Sequence, residues 1–228
     1  AGGDVNHEDL AIFIDSGLRI NYRVGGATQV GKYVSTTATI EVGKFHHLVV
    51  THNVAGDLGS ASYNEPIIYL NGEVIAMTKS QAPNGNFVLE TQNLTIGCAQ
   101  ATSPRNFFDG FIDEFALWNK LLTPAEIVTI EGAGRRKSLQ GLGLKENLQY
   151  WYGLGDSTDN RFKMIDKETK FHDMSGNERH SIDVVGMNVD ILNENAGAFH
   201  KKHRNTTYRI DDTSHQSNPD LIVRHDNA

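Results

Sequence analysis

Apolar residues along this 228-residue chain follow two periods, and the switch between them is sharpest in Asn106–Glu131. Phe107, Phe108, Phe111, Phe115, Leu117 and Trp118 fall close together. From Phe111 to Leu117 the odd positions read Phe, Asp, Phe, Leu and the even ones Ile, Glu, Ala. A period of two with one apolar face predicts a strand. The period then lengthens. Thr123 is an N-cap followed by Pro124 at the first helical position, and Glu126 stands three residues after the cap. Ile127, Val128 and Ile130 give the short helix its apolar side, and Gly132 and Gly134 end it.

Shorter alternating runs precede this stretch. Leu10–Ile14 and Leu18–Val24 predict a hairpin across Asp15-Ser16-Gly17. Tyr33–Val42 continues the sheet, and Phe45–His52 follows. In Ile67–Ala76 the pair Asn71-Gly72 predicts a type I′ turn, because both central residues must take positive φ. Asn93–Cys98 predicts one more strand. Tight hairpins in series argue for an antiparallel meander. Ala55–Pro66 is a long polar loop, a usual seat of variable function. Residues 1–9 carry no period and predict a loop or ragged end. Beyond Gly134, residues 135–146 have linker character, with Arg135-Arg136-Lys137 and two glycines. Residues 147–192 open on the aromatic cluster Asn147–Gly155, and residues 193–228 hold little apolar material, as an extended, partner-dependent arm would.

The order G-x-I-D-E-x-x-x-W-x-x-x-L-T-x-x-E-I, from Gly110 to Ile127, resembles the closing strand and helix of the LamG-like (concanavalin A-like) jelly-roll family. FHHLVVTHN, IIYLNGEVIA and NLTIGC resemble its earlier strands, with Phe45 in the usual tryptophan place. The resemblance implies an all-β antiparallel jelly-roll sandwich over residues 1–134, with an appended, partly extended C-terminal tail. The family's opening strands are not found upstream of Leu10. The expectation is therefore that another segment supplies them or that the chain is a piece of a larger polypeptide, with Phe111, Phe115 and Leu117 as an inner face in need of cover. Residues 147–177 resemble the Y-W-x-x-G-D … D-x-S-G-N segment that opens or links such domains. Ala198–Asn205 resembles a segment of very large virion proteins of marine tailed phages.

Charge sharpens the division. The formal net charge is −7, and up to Gly134 there are 7 Lys and Arg against 14 Asp and Glu, while the remainder balances at 14 against 14. An acidic domain is a poor partner for nucleic acid. No apolar run approaches the roughly 20 residues of a membrane helix. The single cysteine, Cys98, excludes an internal disulfide and reads as a small core residue. Without an initiator Met or signal-like segment, the chain reads as a processed product or a cut piece.

Candidate chemistry is sparse. Glycanases on this scaffold align carboxylates as E-x-D-x-x-E on one strand face, about 5–5.5 Å apart for a retaining mechanism. No such triplet occurs, and the adjacent Asp113 and Glu114 point to opposite faces if they lie in a strand. The expectation is no enzymatic activity. Family resemblance offers Asp113 as a calcium ligand, the alternative being a carboxylate bonded to backbone amides of a nearby loop. Calcium apart, no cofactor is expected. His46 and His52 share one strand face but lie six residues apart, too far for one zinc ion, and His47 faces the other way; all three read as imidazoles bonded across a sheet. Asp156–Asp159 and Asp173–Asn177 read as Asx turns before cation loops. Asn93-Leu94-Thr95 and Asn205-Thr206-Thr207 fit the glycosylation sequon. Tyr69 offers a ring to stack on a sugar, whereas Trp118 reads as core. Tyr63, Asn64 and Asn71 are candidate glycan or partner contacts. Phe199, His200, Lys201, Lys202, His203 and Arg204 are candidate partner contacts of the arm. Together these imply a non-enzymatic structural or recognition module of a large extracellular or virion-surface assembly protein, touching neighbouring subunits or other segments of the same polypeptide. The alternative is a calcium-assisted glycan-binding module. No nucleic-acid partner and no membrane span are expected.

Overall fold

The computed structural model describes residues 10–88, 94–99, 106–110, 112–134, 139, 141–153, 162–165, 168–171, 173–179, 208–210 and 223–225. The chain divides into two compact units, residues 1–109 with 121–134, and residues 110–120 with 135–228.

The first unit holds β1 (Leu10–Ile14), β2 (Ile20–Val24), β3 (Gly31–Ser35), β4 (Leu48–Thr51), β5 (Ile67–Leu70), β6 (Glu73–Val74) and β7 (Met77–Gln81). One antiparallel sheet runs β1-β2-β3-β7 and a second runs β4-β5-β6. Period-two burial is strict on the inner strands. Ile20, Tyr22 and Val24 of β2 and Tyr33 of β3 are buried and join Leu58, Ile68 and Leu70 in the core. Burying each such side chain contributes about 1.5–3 kcal/mol.

Several strands are shorter than their apolar runs. Leu18, at φ 58°, belongs to the first turn, so β2 starts at Ile20. That turn is closed by Asp15, whose Oδ1 accepts from the N–H of Gly17 (2.8 Å) and of Arg19 (3.1 Å). The run Tyr33–Val42 leaves the sheet after Ser35. This buried hydroxyl accepts from Ile20 N–H at 3.1 Å and donates to the Thr37 carbonyl at 2.8 Å, turning the chain aside. β4 begins at Leu48 instead of Phe45. Leu94–Cys98 forms a bend and no strand, since Gly97 takes φ 84° and Thr95 Oγ1 donates to the Cys98 carbonyl at 3.0 Å. β7, with the polar sequence MTKSQ, offered no alternation to detect.

Two local signals hold, the second except at Val128 and Gly132. Asn71 and Gly72 sit at φ 53° and 82° between β5 and β6, with Tyr69 opposite Val74 and Leu70 opposite Glu73. The helix α1 (Pro124–Ala133) starts from a complete capping box between Thr123 and Glu126 and ends at Gly134. Gly132 lies inside it, Ile127 is its buried residue, and Val128 is exposed.

The second unit contains β8 (Phe115–Trp118), β9 (Leu148–Tyr152), β10 (Phe162–Ile165), β11 (Glu168–Phe171), β12 (Tyr208–Ile210) and β13 (Val223–His225). These pair antiparallel as β8 with β9, β10 with β11, and β12 with β13. Of the aromatic stretch, Phe115, Leu117 and Trp118 belong to this second unit, and Phe111 lies outside the described residues. Phe115 stacks on Tyr152 at 6.2 Å between ring centroids, Leu117 is exposed, and Trp118 donates its indole N–H to the Leu144 carbonyl at 2.9 Å. The strand starts only at Phe115 because Glu114 takes φ 55°, where L-residues do not extend. β8 thus groups with residues beyond the expected boundary at 134. Its partner strand comes from the downstream segment, not from one before Leu10.

Candidate functional site

Through its side chain, His52 joins two strands of the first unit to its long loop. It follows the last residue of β4, and its ring lies edge-on between Tyr22 of β2 and Tyr63 of the long loop, with centroids 5.5 and 5.4 Å away. Nδ1 is 2.7 Å from the Tyr22 hydroxyl and Nε2 is 2.8 Å from the Tyr63 hydroxyl. The Tyr63 hydroxyl in turn lies 3.1 Å from that of Tyr33, which bonds to Glu65. Lys79 of β7 donates to Glu65 Oε1 at 2.5 Å.

The direction of this chain follows from its end. A carboxylate only accepts, so Tyr33 donates to Glu65 and must accept from Tyr63. Tyr63 then accepts from Nε2–H of His52, and Tyr22 donates to Nδ1. Every hydroxyl and both ring nitrogens are satisfied with the imidazole neutral. Burial pushes His52 down to about 4, against the opposing effects of a bond to the Asn64 backbone and the charge of Glu65. Burial also raises Tyr22, Tyr33 and Tyr63. The cluster is a neutral polar core at physiological pH. Alternation along FHHLVVTH placed His52 on a strand face, but nothing in the sequence pointed to Tyr22 and Tyr33 as its neighbours.

The other candidate residues do not gather here. Tyr63 has its hydroxyl engaged between His52 and Tyr33 and is only half-exposed, while Asn64 is exposed beside it. Tyr69 is buried, so its ring is not offered to a ligand. Asn71 lies at the opposite end of β5. There its Oδ1 accepts from His47 N–H at 3.0 Å and its amide nitrogen lies 3.2 Å from His46 Nδ1. His47 Nδ1 is 2.9 Å from Glu131 of α1. Burial lowers His47, with Glu131 opposing. The three histidines thus serve three separate contacts.

In the second unit the turn at Asp173 is a clamp for β9. Buried Asp173 accepts from the N–H of Trp151 (3.0 Å), Ser175 (2.9 Å) and Arg179 (3.0 Å) and from the Ser175 hydroxyl (2.8 Å). Asn177 reaches back to the carbonyls of Leu148 and Gln149. With its oxygens engaged in this way, Asp173 makes the turn expected at this segment. Burial, with the charges of Asp173 and Tyr150, pushes Tyr152 up to about 12.

Asp113 is half-buried next to Glu114, whose Oε2 accepts from the Trp151 indole N–H at 2.9 Å. Since Glu114 breaks the extended backbone, the two carboxylates are not set on opposite faces by strand alternation. Among the described residues no three His, Cys, Asp or Glu side chains come together as a metal-binding group. Calcium at Asp113 would have to take most of its six to eight oxygens from groups other than these carboxylates, such as carbonyls and water. Residues 199–204, with Asp156, Asp159 and Asn205, lie outside the described residues. No described helix is long and apolar enough to cross a membrane.

A family model described as the concanavalin A-like lectin/glucanases superfamily matches residues 2–128, more than half of the chain. No curated protein and no solved structure matches it.

Proposed function

The chain belongs to the concanavalin A-like lectin/glucanase superfamily, and from that membership we propose a non-enzymatic structural or recognition module that contacts neighbouring polypeptide through an open sheet edge. The observation that carries this reading is the contrast between the two edges of the four-stranded sheet. β7 is guarded by Lys79 at its centre and by a register shift in its pairing with β3. Natural proteins use both devices to block strand addition. β1 has the sequence LAIFI and no charge. Its Leu10 and Ile12 stand opposite Val24 and Tyr22 and share their face of the sheet, yet Leu10 and Ile12 are 48% and 50% exposed while Val24 and Tyr22 are 0% and 2% exposed. Among the described residues the buried face continues onto a strand with no neighbour on its far side. An extended apolar strand from a neighbouring subunit, or from another segment of the same large protein, is the partner that chemistry fits. The setting proposed for such a module is an extracellular or virion surface.

Ile12→Lys tests this. The wild-type chain should self-associate or aggregate in light scattering, and the variant should be more soluble at unchanged secondary structure. A wild-type monomer indistinguishable from Ile12→Lys would overturn the reading. The family description names lectins, so a glycan array in calcium and in chelator is the companion measurement. Calcium-dependent micromolar binding, lost on Asp113→Asn, would instead establish the glycan-binding module.

A further inference from the structure

The loop Ala55–Pro66 has two attachments of different chemistry. Its first half is pinned by packing and main-chain bonds. Leu58 is buried in the core and its N–H donates to the Gly85 carbonyl at 3.0 Å, while Asp57 Oδ1 accepts from Gly59 and Gly85 N–H at 2.8 and 3.1 Å. Its second half, residues 61–65, is mostly exposed and turns on Tyr63. Tyr63 N–H donates to the Ser60 carbonyl within the same loop. The bonds linking this half to the sheets are those of Tyr63 to His52 and Tyr33, of Glu65 to Tyr33 and Lys79, and of the Asn64 backbone to His52.

We propose that His52 and Tyr63 form an acid-opened clasp: protonation of the imidazole releases residues 61–65 from the sheets while Leu58 keeps the rest of the loop, and the core, in place.

The geometry supplies the reason. The chain of donors ending at Glu65 commits Nε2–H to Tyr63 and leaves Nδ1 as an acceptor from Tyr22. An imidazolium carries a proton on both nitrogens. The Nδ1 proton would meet the hydroxyl of Tyr22, which is 2% exposed and has no other acceptor among the described residues. The charge would also lie between the rings of Tyr22 and Tyr63, where desolvation is expensive. The titratable and charged groups facing the ring are Tyr22 from β2, Tyr33 from β3, Tyr63 and Glu65 from the loop, and Lys79 of β7 through Glu65. Glu65 is the only anion in the set, and its charge is shared with Lys79. The weakest attachment in reach is the exposed half-loop, so it moves before the sheet does. This inference is independent of the β1 edge.

Amide hydrogen exchange on the full chain between pH 7 and pH 4, corrected for intrinsic pH dependence, is the test, with the His52 ring followed by NMR. As His52 protonates, residues 61–65 should lose protection at least tenfold through a local opening, while β2, β3 and β5 stay protected at the higher level set by global stability. Tyr63→Phe should open the same residues at pH 7. Glu65→Gln should leave the acid response in place, which separates the histidine from the carboxylate. Flat protection across the His52 titration, exchange of residues 61–65 at one common rate with the core, or loss of the response in Glu65→Gln would each overturn the clasp.

Discussion

The two units bury polar groups in opposite ways. In the first, His52 is held by hydroxyls that can donate or accept, and the arrangement closes only for a neutral ring with Nε2 protonated. In the second, Asp173 is held by three main-chain N–H groups and one hydroxyl, donors fixed in place by the backbone itself. The first network depends on where its protons sit. The second specifies a single backbone path, that of β9 and the turn which clamps it. Buried polar groups of either kind are costly when half-satisfied, but only the hydroxyl–imidazole kind can be rewired by one proton.

Removing the clamp should have the largest effect. Asp173→Ala takes the carboxylate acceptor from three main-chain N–H groups and leaves the Ser175 hydroxyl only the Gln149 carbonyl, at about 1–3 kcal/mol for each N–H that stays buried and unpaired. We expect a loss of about 3–5 kcal/mol in the second unit. Both tryptophans of the chain, Trp118 and Trp151, lie in that unit, so their fluorescence during denaturation reports it selectively. A shift below about 1 kcal/mol would show that the turn forms without its carboxylate.

Next in size is the acid response of the first unit. His52 and His47 both lie below their ordinary value in the folded state. The folded form therefore binds fewer protons than the unfolded form at mildly acidic pH, and stability falls as pH drops. For His52 the window runs from about 6.5 in the unfolded chain down to about 4. Allowing for screening at a ring that solvent partly reaches, the loss is on the order of 2 kcal/mol. Far-UV denaturation midpoints at pH 7 and pH 4.5 measure it, and His52→Gln should remove most of the difference. A midpoint that rises on acidification would contradict the assignment of a neutral ring.

The same contrast explains how far the sequence could be read. Features determined within a few residues were visible: the Asn71-Gly72 turn, the Thr123–Glu126 box, and the β1–β2 hairpin. The antiparallel all-β class follows from them and from the family match. What failed depended on single backbone angles at residues that do not advertise them. Glu114 and Leu18, at φ 55° and 58°, cut strands that alternation carried straight through. The aromatic stretch was legible as apolar, but its pairing with β9 joins residues 30 or more positions apart and leaves no local trace. The His52 cluster was hidden likewise, because Tyr22, Tyr33 and Tyr63 come from three separate segments. The Asp173 turn was legible, since Asp-x-Ser-Gly-Asn encodes its own bonds.

A smaller effect separates the networks by their hydroxyls. Ser175 Oγ donates toward Asp173 Oδ2 and the Gln149 carbonyl and accepts from Asn177 N–H at 3.2 Å, all in a side chain that is buried. Ser175→Ala should cost about 1–1.5 kcal/mol by tryptophan fluorescence, because the Asn177 N–H loses its acceptor. An unchanged midpoint would mean that Asn177 is held through its own side chain alone.

Tyr63→Phe should cost the least in global stability, and that is its use. The ring remains half-buried against the core, so the transfer contribution is retained and only a hydroxyl is lost. His52 keeps its bond to the Asn64 backbone, and Tyr33 keeps Glu65 as the acceptor for its own proton. No fully buried donor is stranded, in contrast to Asp173→Ala. The expected loss is about 0.5–1 kcal/mol, the ordinary net value of a partly exposed hydrogen bond. The local consequence should be much larger than the global one, since residues 61–65 lose the bond that ties their centre to β3. Far-UV denaturation gives the first quantity and hydrogen exchange at residues 61–65 gives the second. A global loss above about 2 kcal/mol would mean that the Tyr63 hydroxyl supports the core itself, as Asp173 supports β9, and the two networks would then be alike.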